Sequence, residues 1–203
     1  MAPTENELHT HQMYDERGED WLDHSGGRNR PSFWAEEMTE FILHLGGDKR
    51  VIEVGSGAAT DGKYLGQLGA DVLSTDYSET MLAIAKEINP EGRYVRMDVQ
   101  DLYFRNDSFD GFWATACLLH LEDPTKALKE LVRVTKDEGV GFITIKEGIG
   151  EEVNPTTGFY FHYYENEEFK TILAQNGLKV ITTGRKMGTP RHDYLTYLVK
   201  VVK

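Results

Sequence analysis

Cysteine is almost absent from this 203-residue chain: Cys117 stands alone. A single thiol rules out an internal disulfide and a cysteine-built metal site. It fits a reducing, intracellular setting, so a cytoplasmic protein is expected. No run approaches the ~18 consecutive apolar residues of a membrane-spanning helix. The opening stretch, MAPTENELHTHQMYDERGED, is polar and acidic and lacks the basic-then-apolar plan of a signal peptide. Cations are scarce as well: 22 Lys and Arg against 34 Asp and Glu leave a net charge of −12. That balance repels phosphate backbones at long range and disfavours nucleic acid as a partner. Histidines at metal-ligand spacing occur only as His9-x-His11, and no metal is expected.

The residues that are present suffice for one domain. The hydrophobic set makes up 39% of the chain and charged residues 28%, and a chain this long buries roughly 70% of its unfolded surface without staples. Residues 1–31 stand apart as an N-terminal flap or tail, polar, with only scattered apolar anchors such as Tyr14, Trp21 and Leu22. Residues 32–203 read as the folded domain. Ser32 is a candidate cap for a helix carrying Phe33, Trp34, Met38, Phe41, Ile42 and Leu45. Strands are expected over 50–54, 71–75, 94–97, 109–115, 140–146, 179–183 and 195–202. Between them helices are expected over 61–68, from Ser78 to Ile88, from Asp123 through Val132, and over 166–176. Strand–helix alternation builds a parallel sheet covered on both faces. Too few residues separate the last two strands for a crossover helix, so they form an antiparallel hairpin. The expected fold is a Rossmann-like, doubly wound α/β sheet, mostly parallel, of seven strands.

The chemistry concentrates where the first strand runs into Glu53-Val54-Gly55-Ser56-Gly57-Ala58-Ala59-Thr60. Glycines between a strand and a helix let backbone approach a ligand closely, at the carboxyl ends where open α/β sheets bind ligands. Gly-x-Gly alone also serves many tight turns. Two details sharpen the reading. Thr60 stands where a dinucleotide fingerprint wants a small residue for helix packing. Glu53 is a poor neighbour for pyrophosphate and a good one for an ammonium group. Asp76 ends the second strand, where a carboxylate can accept two hydrogen bonds from a ribose diol. Asp98-Val99 ends the third, offering an acceptor and an apolar side chain to an adenine ring. Acids at three consecutive strand ends describe a site for a nucleoside joined to something cationic.

The segments VIEVGSGAAT (51–60), ADVLSTDYSETMLAIAK (70–86), RYVRMDVQDL (93–102), SFDGFWATACLLHL (108–121) and ALKELVRVTKDEGVGFITIKEG (127–148) resemble the class I S-adenosylmethionine-dependent methyltransferases. The resemblance implies strand order 3-2-1-4-5-7-6 and S-adenosylmethionine as cofactor. It implies Glu53 near the methionine ammonium, Gly55, Ser56 and Gly57 beneath the cofactor, and Asp76 on the ribose hydroxyls. Tyr77, Ser78 and Met81 would line the adenine, Asp98 and Val99 would meet its edge, and Ala114, Thr115, Ala116 and His120 would lie beside the sulfonium. Ala59 departs from the family's turn, which often carries a third Gly there.

The implied reaction is methyl transfer by in-line displacement to a small-molecule acceptor, since the fold takes up nearly all of the 203 residues. Candidate acceptor-side residues are His120, Glu147, and His162 with Tyr163 in the aromatic run 159–164; each also has a plain structural reading. Cys117 reads as apolar filling. The flap is a candidate lid, with Gly26-Gly27 as hinge and Arg28 or Arg30 near the methionine carboxylate. The sequence shows no clear partner for His192, which stands near Arg191 and Asp193. Two other readings stay open: a non-catalytic cofactor-binding module and a nicotinamide-dependent oxidoreductase.

Overall fold

The computed structural model describes residues 3–24, 33–188 and 192–203, with the side chains of Trp21, Asp23 and His24 outside that description. Ser32, Gly26-Gly27, Arg28, Arg30 and Arg191 lie outside the described residues. The N-terminal segment forms a helix, α1 (Glu5–His24), with non-helical backbone at Arg17. It is followed by α2 (Ala35–His44), β1 (Arg50–Val54), α3 (Thr60–Gln67), β2 (Asp71–Asp76), α4 (Glu79–Ile88), β3 (Tyr94–Arg96) and β4 (Phe109–Ala114). A 3-10 turn (Leu118–His120) precedes α5 (Thr125–Val134) and β5 (Thr135–Lys146). A hairpin of β6 (Gly150–Val153) and β7 (Tyr160–Tyr163) leads to α6 (Asn166–Gln175), β8 (Leu178–Lys186) and β9 (Tyr194–Val201).

The seven-stranded sheet has the order β3-β2-β1-β4-β5-β9-β8. β1 pairs in parallel with β2 and β4, while β9 runs antiparallel to both β5 and β8. This is the expected topology, with the last two strands renumbered. Successive side chains of a strand point to opposite faces, and the core divides accordingly. Ile52, Phe112, Ile143 and Tyr197 pack under α5 and α6. Val51, Trp113, Phe142 and Leu198 pack under α2 and α3.

Local signals account for the helix boundaries. Ser78 caps α4, its hydroxyl accepting the Met81 amide at 3.1 Å. Along α4, Met81, Ile84 and Ala85 are buried and Leu82 is half-buried. Asp123 accepts the Thr125 amide at 2.9 Å before α5. The β6–β7 hairpin was not anticipated. Its sign is Asn154-Pro-Thr-Thr-Gly158 between two short runs of strand-forming residues, with Asn154 Oδ1 accepting the Thr156 and Thr157 amides.

Phe169 is fully buried between α6 and the sheet, against Tyr164 and Tyr197. Truncation leaves a cavity that rigid neighbours cannot fill. Phe169→Ala should lower stability by about 3–5 kcal/mol, read as a lower urea midpoint with an unchanged m-value.

Candidate functional site

β1 leaves the sheet centre with β2 on one side and β4 on the other, so the chain crosses to opposite faces and a crevice opens at the carboxyl ends. A cleft of about 560 Å³ occupies it. The β1–α3 turn forms its floor. Gly55 and Gly57 hold φ of +58° and +53°, a region open to glycine without strain. Ala59 adopts φ +50° at the start of α3, where the missing third glycine would have been unstrained. Ser56 Oγ is buried and makes no hydrogen bond to a described residue.

Asp76 ties this floor to the next strand. Its Oδ2 accepts the Gly57 amide at 2.7 Å and its Oδ1 the Ser78 amide at 2.8 Å. Burial lifts its carboxyl above the usual aspartate range, against those two amides. Asp98 lies opposite, with Oδ1 on the Gln100 amide at 2.8 Å. Gly55, Ser56, Gly57, Asp76, Tyr77, Asp98, Val99, Thr115, Ala116 and His120 all line the cleft.

Other candidates lie behind its walls. Glu53 is 2% exposed, with the Gly62 amide at 3.0 Å and the Ser74 hydroxyl at 2.5 Å on its two oxygens. Gly62 carries no side chain that would collide with it, so α3 presses onto the carboxylate. Beside Glu53, Asp61 lines the cleft with Asp76 and Asp98, and it accepts from Trp113 Nε1 and Thr115 Oγ1, each at 3.0 Å. Ser78 is spent on its cap and on Asp15, and Met81 is buried against Gly18 of α1. Ala114 is fully enclosed in the sheet core. Glu147 forms an ion pair with Arg185, away from the cleft. His162 stacks on Tyr164 and meets the Glu122 carbonyl at 3.1 Å. Tyr163 donates to Glu152 at 2.7 Å and stacks on His192. The alternation of β7 instead turns Phe159 and Phe161 into the cleft.

Sequence reasoning also missed much of the roof. Thr10, His11 and Tyr14 of α1 line the cleft, as do Phe33, Trp34 and Tyr194. The His11 ring stacks on Tyr77 at 3.7 Å, with its Nδ1 buried and without a hydrogen-bond partner among the described residues. Glu7 accepts from Gln100 Nε2 at 3.1 Å and from the Glu122 amide at 3.2 Å; Thr10 Oγ1 accepts the Tyr160 amide at 3.0 Å. Asp15 receives the Ser78 hydroxyl at 2.6 Å. These partners come from four separate segments, so no local pattern announces them. Cys117, read as filling, also borders the cleft; burial pushes its thiol up and leaves it a poor nucleophile.

His120 has both ring nitrogens engaged. Nδ1 meets the Tyr160 carbonyl at 2.7 Å, which can only accept, so Nδ1 bears the proton. Nε2 therefore accepts the Tyr14 hydroxyl at 3.0 Å. Burial pushes His120 down to about 4. A neutral, doubly bonded imidazole is a weak proton acceptor and a good pin between α1, the 3-10 turn and β7. Lys146, at the end of β5, places its ammonium 3.5 Å from the Phe161 ring centre.

Residues 52–143 match the sequence profile described as a methyltransferase domain. The chain is 33% identical over 155 residues to a demethylmenaquinone methyltransferase of Renibacterium salmoninarum, across 76% of this chain and 59% of that protein. It thus spans less than two thirds of the curated relatives that head the comparison. Among solved structures it is similar in fold to the 1,6-didemethyltoxoflavin-N1-methyltransferase of Burkholderia thailandensis, at TM-score 0.79 and 17% identity, over 100% of this chain and 92% of that one. It is similar also to the [4+2]-cyclase SpnF, at TM-score 0.77 and 18% identity, over 100% and 97% of the two chains.

Burial, with the charge of Asp61 next, raises Glu53 from 4.5 to about 8, despite the hydrogen bonds it accepts. Over that range the folded state keeps a proton that the unfolded chain releases, so stability falls as pH rises. His120, depressed from 6.5, acts oppositely below pH 6.5, and Lys146, lowered to about 8, acts above it. Between pH 6.5 and 8 Glu53 contributes to the loss, with the raised carboxyl of Asp76 acting in the same direction, and Glu53→Gln should reduce the slope in urea titrations across that window.

Proposed function

Since the chain belongs to the class I S-adenosylmethionine-dependent methyltransferase family, we propose that it transfers a methyl group to a small-molecule acceptor by in-line displacement. One observation carries this. The glycine floor, Asp76 and Asp98 meet in a single cleft whose other half is walled by Trp34, Phe159, Phe161 and Tyr194. A nucleoside end and an acceptor end thus share one space.

S-adenosylmethionine suits what the residues offer. Asp76 spends one lone pair per oxygen on backbone amides and keeps the others for a diol. The unpartnered Ser56 hydroxyl sits in the floor. Asp98 and Val99 stand at the adenine end, with the His11–Tyr77 stack beside them. The ammonium falls to Asp61, which faces the cleft, rather than to Glu53, which does not. When bound, the cofactor supplies an electrophilic methyl on a sulfonium. The chain's own share is alignment and exclusion of water. Tyr14 and His120 hold α1 across the cleft, and we assign α1 the part of a cover. His120 then positions that cover and carries no proton in the reaction. A cytoplasmic setting, with no nucleic-acid partner, belongs to the same proposal. Among the described residues no helix is long and apolar enough to cross a membrane.

A second reading has a specific basis: the similar fold of a [4+2]-cyclase. On that reading the cleft binds the cofactor and a substrate without methyl transfer. Labelled methyl appearing in any of a panel of phenols, amines, thiols and carboxylic acids supports transfer. Cofactor binding with silence across the whole panel supports the second reading.

Calorimetry with S-adenosylhomocysteine should show tight binding by the wild-type chain. Asp76→Ala should weaken it by about 10–100-fold, the worth of a charged hydrogen bond of ~1.5–3 kcal/mol. Removing residues 1–30 should weaken it too, with circular dichroism confirming a retained fold. Undiminished affinity after truncation would rule out the cover.

A further inference from the structure

Lys146 is the one Lys or Arg among the described residues that line the cleft. It belongs to the acceptor half, and none of the steps above uses it. The residue is 9% exposed, and its ammonium lies over the Phe161 ring at 3.5 Å. No described residue gives that ammonium a hydrogen bond or an ion pair. The acid that bears on it, Glu152, is taken by the Tyr163 hydroxyl at 2.7 Å. The other ionisable groups nearby are His120, held neutral by burial, and Tyr194, its register partner on β9. A buried ammonium with three unspent donors is costly to maintain. A quadrupolar ring offsets part of that cost, and an anion placed in the cleft offsets far more.

We propose that Lys146 selects the acceptor: it binds the anionic oxygen of a flat, conjugated acid, a phenolate or enolate or an aromatic carboxylate, whose ring packs against Phe159 and Phe161. This rests on the methyl-transfer reading of the cleft and names its substrate class. The acceptor binds as its anion, having lost its proton to solvent, so Lys146 carries no proton and makes no covalent bond. Burial lowers Lys146 to about 8, which leaves it mostly charged at neutral pH. The same geometry makes neutral isosteres poor ligands, because they leave the ammonium unpaired.

The test uses the full chain saturated with S-adenosylhomocysteine at neutral pH. 4-Nitrophenol, partly ionised there, is compared with 4-nitroanisole, and 1-naphthoate with 1-naphthamide. Each anion should bind at least tenfold more tightly than its neutral partner. Bound 4-nitrophenol should show more of the yellow phenolate band than it does in buffer. Lys146→Met should abolish both the preference and the colour change, while Lys146→Arg restores the preference. S-adenosylhomocysteine should bind all three proteins alike. The tighter of the two anion arms names the acidic oxygen. If S-adenosylhomocysteine binds but wild-type protein prefers neither anion, or Lys146→Met keeps the preference, the Lys146 proposal is overturned and the methyl-transfer reading stands. If S-adenosylhomocysteine itself fails to bind, that reading falls first. The wild-type comparison of anion and isostere decides the matter even where a variant fails to fold.

Discussion

The carboxylate of Asp76 holds the site together. By accepting the amides of Gly57 and Ser78 it joins the turn after β1 to the start of α4, two segments 19 or more residues apart in the chain. A carboxylate on two amides is a strong, directional pairing in a buried setting. It sets the height of the glycine floor against the end of β2. It also leaves lone pairs facing the cleft. Were the floor to drift, Asp76 and Asp98 would no longer line one cleft with the glycine turn.

A second layer of polar contacts fixes α1 over that floor. Glu7 reaches the loop after β3 and the segment before α5, Thr10 reaches β7, and Asp15 reaches the cap of α4. Leu22, buried with Ala58, Met81 and Ile84, adds an apolar anchor. Most of these contacts are hydrogen bonds, each with a modest net worth of about 1 kcal/mol. On the proposed reading of α1 as a cover, a helix held by several modest bonds is suited to closing the cleft and releasing it again. The Tyr14–His120 bond sits at the point where this cover meets the acceptor half.

Charge is divided across the cleft. Asp61, Asp76 and Asp98 line the part that the proposal gives to a nucleoside and an ammonium, and Lys146 lies in the aromatic part. A cationic cofactor and an anionic acceptor would each meet the opposite charge. Their reaction neutralises both, and a preorganised field of this kind favours such a change.

Much of the architecture was legible beforehand. Strand and helix periods, the Ser78 cap, the glycine turn and the closing hairpin are written in neighbouring residues, so hydrophobic spacing and turn chemistry predict them. The acids at three strand ends were legible for the same reason, since strand ends follow from strand limits. Side-chain direction was not. Glu53 turns behind the floor because Gly62 and Ser74, 9 and 21 residues away, offer it donors. Phe161 rather than His162 enters the cleft because β7 pairs with β6 in one register, and a shift by one residue would exchange them. By itself the sequence determined the fold class and the succession of strands and helices, because those depend on local pattern, while its resemblance to a known family implied the strand order that the sheet shows. Only the tertiary structure decided that α1 lines the cleft and that Lys146 has no hydrogen-bond or ion-pair partner among the described residues, because burial and partners belong to segments far apart in the chain.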